Sequence, residues 1–124
     1  MNIPVHWYIP EKVVILHAPA DTSDEALWHL DAQMLHHLNT HTPPIHLIVD
    51  ASQVKNPPNT KTIAGLTWPR HPHYGYTIIV GLENPFFIYL NNFVAKIFGV
   101  EARTVKTLAE AEALLRQLDP RLEV

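Results

Sequence analysis

The sequence predicts an α/β domain with the order β-β-α-β-α-β-α-β-α, a mixed, mostly parallel five-stranded sheet carrying four helices. Three observations predict it. Short runs rich in Val and Ile recur along the chain, helix-period stretches separate all but the first two, and prolines and capping residues mark the junctions. Strands that alternate with helices are joined by crossovers, which make them parallel. Right-handed crossovers advancing in one direction would set successive helices on one sheet face.

Val5-His6-Trp7-Tyr8-Ile9 alternates apolar Val5, Trp7 and Ile9 with His6 and Tyr8, the period of a strand with unlike faces. Pro10-Glu11-Lys12 supplies a turn, and Val13 to Ala18 follows as a more apolar strand, so the two read as a hairpin. Asp21-Thr22-Ser23-Asp24-Glu25 gathers N-cap residues and first-turn acids. Leu27, Leu30, Met34 and Leu38 then recur at helical spacing, Trp28 and Leu35 widen the stripe, and the helix stops before Thr42-Pro43-Pro44.

Ile45 to Asp50 is a strand ending in an acid, and Asn56-Pro57-Pro58-Asn59 must be loop. Asn59 or Thr60 caps a short helix reaching about Leu66, a second Pro-broken loop runs from Trp68 to Gly75, and Tyr76 to Leu82 is the next strand. Asn84-Pro85 opens a helix burying Phe86, Leu90, Phe93, Val94 and Ile97, closed by Gly99. Ala102 to Lys106 is a short polar edge strand, and Thr107-Leu108-Ala109-Glu110 is a capping box for a last helix that ends at Asp119-Pro120.

The composition narrows the function. With 124 residues, 47% hydrophobic and a formal net charge of -3, the chain fits one folded domain and excludes disorder. Nine Lys and Arg against 12 Asp and Glu argue against a nucleic-acid partner. No apolar run approaches the length of a membrane span, Met1-Asn2-Ile3-Pro4 lacks a basic start, and no cysteine is present, which together lead us to expect a cytoplasmic protein without membrane insertion. Nine histidines are many for this length, so acidification should alter solubility or association.

The ends of parallel strands, and the helix starts behind them, form the rim where open α/β sheets bind. Here that rim would carry Asp50, Ser52, Asn59, Thr60, Lys61, Thr62 and Asn84, a plausible place for an anion or a phosphoryl group. The plain alternative is that Asn59, Thr60 and Asn84 only cap helices and Lys61 is solvated. A hydrolase could be imagined from Ser52, Asp50 and a histidine, but no glycine flanks Ser52, so the usual nucleophile elbow cannot form. Glycines stand only at 65, 75, 81 and 99, which excludes the phosphate loops of nucleotide sites. His37 with His41, and His71 with His73, could clamp an ion but lack the spacing of a known metal motif, and no metal or cofactor is expected. Asp24, Glu25 and Asp31 read as a solvated helix face. Trp7, Tyr8, Phe87 and Tyr89 exceed what the core requires and are candidates for a contact with a partner or a second copy.

In this element order, in Leu47-Ile48-Val49-Asp50-Ala51-Ser52, and in the closing Arg103-Thr104-Val105 with Thr107-Leu108-Ala109-Glu110-Ala111, the chain resembles the STAS domain of anti-sigma-factor antagonists and sulfate-transporter tails. The resemblance spans nearly the whole length. It implies a non-catalytic regulatory domain, working as a homodimer or with a protein partner. In antagonists a Ser or Thr at the start of the next helix accepts phosphate, preceded by Asp and followed by Gly. The matching Pro58-Asn59-Thr60-Lys61 offers Thr60 without that Asp or Gly, so the chain looks closer to divergent members that lack the switch. Ser52 is the other candidate acceptor. The competing expectation is a small-ligand module for a lipid or a phosphorylated metabolite.

Overall fold

The computed structural model describes residues 3–56, 59–81, 92, 95–96, 99 and 102–123. The chain runs through β1 (Val5–Ile9), β2 (Val13–His17), α1 (Asp24–Thr40), β3 (Ile45–Asp50), α2 (Thr60–Ala64), a 3-10 turn at Trp68–Arg70, β4 (Tyr74–Val80), β5 (Ala102–Val105), α3 (Leu108–Leu118) and a second 3-10 turn at Pro120–Glu123. The five strands lie in the order β1-β2-β3-β4-β5. β1 pairs antiparallel with β2, and every later pair is parallel. Among the described residues no helix is long and apolar enough to cross a membrane. Most of the helix expected after Asn84, with Phe86, Phe87, Tyr89, Leu90, Phe93, Val94 and Ile97, lies outside the described residues; Asn92, Ala95 and Lys96 are helical. At its expected end, Gly99 has a φ of 65° and donates its N–H to the Ala95 carbonyl at 2.9 Å, as a C-terminal cap does.

Local chemistry sets the helix starts. The Ser23 hydroxyl oxygen accepts the Ala26 N–H at 3.1 Å and opens α1. The Asn59 side chain accepts the Lys61 N–H at 2.9 Å and opens α2. Thr107 accepts the Glu110 N–H at 3.2 Å while Glu110 reaches back to the Lys106 N–H, so the capping box closes from both sides.

Each sheet face has its own core. On the first, Leu27, Leu30, Met34 and Leu38 of α1 pack on Val14, Leu16, Ile45 and Leu47, with Ile63, Leu66 and Trp68 completing the layer. On the second, Ala111 and Leu115 of α3, with Leu122, cover Val13, Ile15, Ile48, Ile78 and Val80. Neighbouring strand residues therefore serve opposite layers, as the two-residue period of a strand requires. Burying such a side chain contributes about 1.5–3 kcal/mol relative to leaving it in water.

The structure departs from the sequence reading in several places. The last helix sits on the face opposite α1 and α2, where Ala111 and Leu115 pack on Val13, Ile15, Ile48, Ile78 and Val80. The β1 register shifts between Trp7 and Ile9, which sends Val5 and Trp7 to the first core but Ile9 to the second. Strand β4 begins at Tyr74, two residues early, and α2 ends at Ala64. Gly75 permits the early start: a Cβ there would collide with His46 Nδ1. Trp28 does not join the apolar stripe but stands 47% exposed.

Asp31 is the largest correction. It is buried, not solvated, and its carboxylate accepts the Thr67 and Trp68 N–H groups at 2.9 Å each and the Thr67 hydroxyl at 2.8 Å. One carboxylate thus satisfies the start of the Trp68–Arg70 turn and fixes it against α1. Substituting Asp31→Ala strands the buried Trp68 N–H and the part-buried Thr67 N–H and should lower the free energy of unfolding by about 2–3 kcal/mol, measured by urea denaturation.

Candidate functional site

The parallel strands end level with one another. The register pairs His17 with Asp50, Asp50 with Val80, and Val80 with Val105. Exit residues tie each strand to the next: Ala18 N–H donates to the Asp50 carbonyl at 2.9 Å, Ala51 N–H to Val80 at 2.9 Å, and Gly81 N–H to Val105 at 3.1 Å. The strand ends consequently form one continuous rim.

A short polar chain occupies its centre. Asp50 Oδ1 accepts the Ser52 N–H at 3.1 Å and the Ser52 hydroxyl at 2.7 Å. Asp50 Oδ2 lies 3.2 Å from His17 Nδ1, which must be the donor to an ionised carboxylate. His17 in turn stacks on His6, with ring centroids 5.2 Å apart. Partial burial works to raise the Asp50 pKa, but the two Ser52 bonds and the adjoining His17 outweigh it and hold the carboxyl below its ordinary range. The turn is tight: Gly81 has a φ of 79°, and a Cβ there would stand 2.9 Å from Ser52 Cβ.

The neighbouring loops are stitched to this rim. Lys55 and Asn56 both donate backbone N–H groups to the Ala20 carbonyl at 3.0 Å, and the Asn56 side chain donates to Asp21. Thr62 donates its hydroxyl to Asp24 at 2.8 Å, tying α2 to the start of α1.

The sequence-expected rim residues divide accordingly. Asp50 and Ser52 come together, with Ser52 exposed. Asn59 and Lys61 are exposed and Thr60 is half-buried in the first turn of α2, where Asn59 does serve as the cap. Thr62 is buried and turned inward. Asn84 lies outside the described residues. His17 and His6 escaped the sequence reading; the available signal was that His17 closes β2 as Asp50 closes its neighbour. Of the contact candidates, Trp7 is half-buried with its ring 4.8 Å from both His37 and His41. Tyr8 is half-buried too, and burial followed by the nearby Glu112 carboxylate pushes its phenol pKa up.

The Ser–His–Asp composition does not assemble a nucleophile. Asp50 stands between the other two groups, so Ser52 donates to a carboxylate rather than to an imidazole base. Among the described residues no group of three or more His, Asp or Glu converges to hold a metal ion. In the His71–His73 pair, ring nitrogens are spent on the chain itself: His71 Nε2 meets Asn39 Oδ1 at 2.7 Å and His73 Nδ1 meets the Leu38 carbonyl at 2.8 Å.

No protein-family profile matches this sequence, and no curated protein matches it. Among solved structures, the chain is similar to an anti-sigma-factor antagonist (STAS) domain protein from Planctomyces limnophilus, with a TM-score of 0.58 and 14% identity over 90% of this chain and 95% of that one. The fold is STAS-like. In this STAS-like frame the strand ending in Asp50 and the short helix opened by Asn59 are adjacent features of one rim.

Replacing Ser52 by Ala removes one of the bonds that depress the Asp50 pKa. A carboxyl held low in the folded state adds stability that is present above the unfolded carboxylate range and lost as pH falls through the folded value. Carbon-detected NMR titration should therefore show the Asp50 midpoint moving up in Ser52→Ala and the acid loss of stability shrinking with it.

Proposed function

We propose that this chain is a non-catalytic regulatory domain that acts by protein contact through its strand-end rim, with another protein or a second copy as partner. The carrying observation is the STAS-like fold, matched across 90% of the chain to an anti-sigma-factor antagonist domain protein. The rim supports the reading in its own terms. Asp50 at the end of β3, Ser52 in the turn behind it, and Asn59, Thr60 and Lys61 at the start of α2 line it, beside segments joined by cross-bonds to Ala20, Asp21 and Asp24. A fixed polar surface of this kind suits recognition, which gains from being ordered before the partner arrives.

Thr60 is the proposed phospho-acceptor, with Ser52 second. Phosphate at either position adds close to two negative charges beside groups that are already hydrogen-bonded, so it would change the rim's charge more than its shape. A serine kinase of the anti-sigma type, incubated with this chain and a nucleoside triphosphate, should label Thr60 or Ser52, detected by peptide mass spectrometry. The charge-mimicking Thr60→Asp should then weaken binding to that protein about tenfold or more, about 1.4 kcal/mol. A kinase partner that binds wild type and Thr60→Asp equally, with no label on either residue, would contradict the switch. Co-purification of a small molecule in native mass spectrometry, with no protein partner, would favour the ligand-binding alternative.

A further inference from the structure

His46 lies in the middle of the protein, 1% exposed, on the central strand and away from the rim. Its two nitrogens have different partners. Nδ1 faces the Tyr76 backbone N–H at 2.9 Å, and that group can only donate, so Nδ1 carries no proton. The ring proton is therefore on Nε2, aimed at Asp119 Oδ2 at 2.8 Å. Asp119 closes α3 and is held in turn by Arg121, through Nε at 2.9 Å, Nη2 at 2.6 Å and the backbone N–H at 3.1 Å. Arg121 reaches the Pro43 carbonyl and receives Lys12 Nζ on its own carbonyl, both at 3.3 Å. Leu122, in the same turn, is buried in the second core.

We propose that the C-terminal turn 119–122 is a latch on the lower end of the sheet, fastened by neutral His46 and released when His46 takes a second proton. Protonation turns Nδ1 into a donor facing another donor, at a ring sealed from solvent. The strand β4 must then give up the Tyr76 bond, or the ring must turn and give up Asp119. The first movement loosens β4 at Tyr76; the second frees the Asp119 carboxylate that holds Arg121, and with Asp119 its backbone carbonyl, which accepts the Leu122 N–H at 3.1 Å. The α1 layer on the opposite face shares none of these bonds.

The charged and titratable groups facing His46 from each packed element are Asp119 and Arg121 of the turn, Tyr76 of β4, whose ring stacks at 5.4 Å, and Lys12 of the turn before β2, whose carbonyl accepts the His46 N–H. Burial lowers the imidazole pKa and the Arg121 charge adds to that, while Asp119 opposes them; the net direction is down. Bonds from Arg121 hold the Asp119 carboxyl far below its ordinary range despite burial, so it stays ionised. An imidazole kept neutral in the latched state takes up its proton only on opening. The latch is thus tight above the ordinary imidazole range and weakens as pH falls below it, by up to about tenfold in the opening equilibrium per pH unit.

Amide hydrogen exchange on the full chain tests this, with rates at about pH 7.5 and about pH 5.5 corrected for intrinsic exchange. Peptides covering 113–123 and 74–78 should show a rise in opening approaching about tenfold at the lower pH, while α1 peptides hold their protection. His46→Gln keeps a donor toward Asp119 but cannot charge, so its profile should be flat. Should that variant fail to fold, the nitrogen shifts of the wild-type ring decide: a proton on Nε2 alone at neutral pH supports the latch, and one on Nδ1 overturns it. Opening of α1 in step with the C-terminal turn, or no pH dependence in either, also overturns it.

Discussion

Strand β3 is the member against which the rest is assembled. Its residues Ile45, Leu47 and Ile48 are essentially inaccessible to water, and alternate positions feed the two cores on either side of the sheet. A strand sealed on both faces cannot slip by one residue without exchanging both layers at once, so its register is strongly determined. That register places His46 at the lower end and Asp50 at the upper end, and it fixes which residues of β2 and β4 stand beside each.

The two ends of this strand do different work. At the upper end, part-exposed Asp50 meets His17 of β2, which stacks on His6 of β1, and an exposed serine in the turn behind its own strand. At the lower end, His46 is sealed off and joined to a carboxylate and a guanidinium from the C-terminal turn. Each end pairs a histidine with an aspartate, but burial separates their roles. The exposed pair can trade its partners for solvent or for another molecule, whereas the sealed pair can change only by moving the segment that covers it.

Much of the fold was legible from sequence because hydrophobic period, N-caps and proline breaks agree along most of the chain. Ser23, Asn59 and Thr107 cap the helices where their side chains suggested. What escaped was settled by contacts distant in sequence. Asp31 looked like one more acid on a helix surface, and only the approach of Thr67 and Trp68 from 36 and 37 residues away gives it a buried role. His46 occupied an ordinary inward strand position, and nothing local announced Asp119, 73 residues on. At the candidate site, Asp50 with Ser52 was readable as a local turn; His17 required knowing that two strand ends are level.

The rim exists only if β2, β3 and β4 run parallel and finish together. Backbone cross-peaks in an isotope-edited NOE spectrum measure this directly. The account predicts contacts of Ala18 with Asp50 and of Ala51 with Val80, beside parallel-strand contacts through Leu47–Thr77 and Val49–Ile79. Antiparallel contacts between these strands, or a register displaced so that Asp50 and Val80 no longer meet, would contradict it.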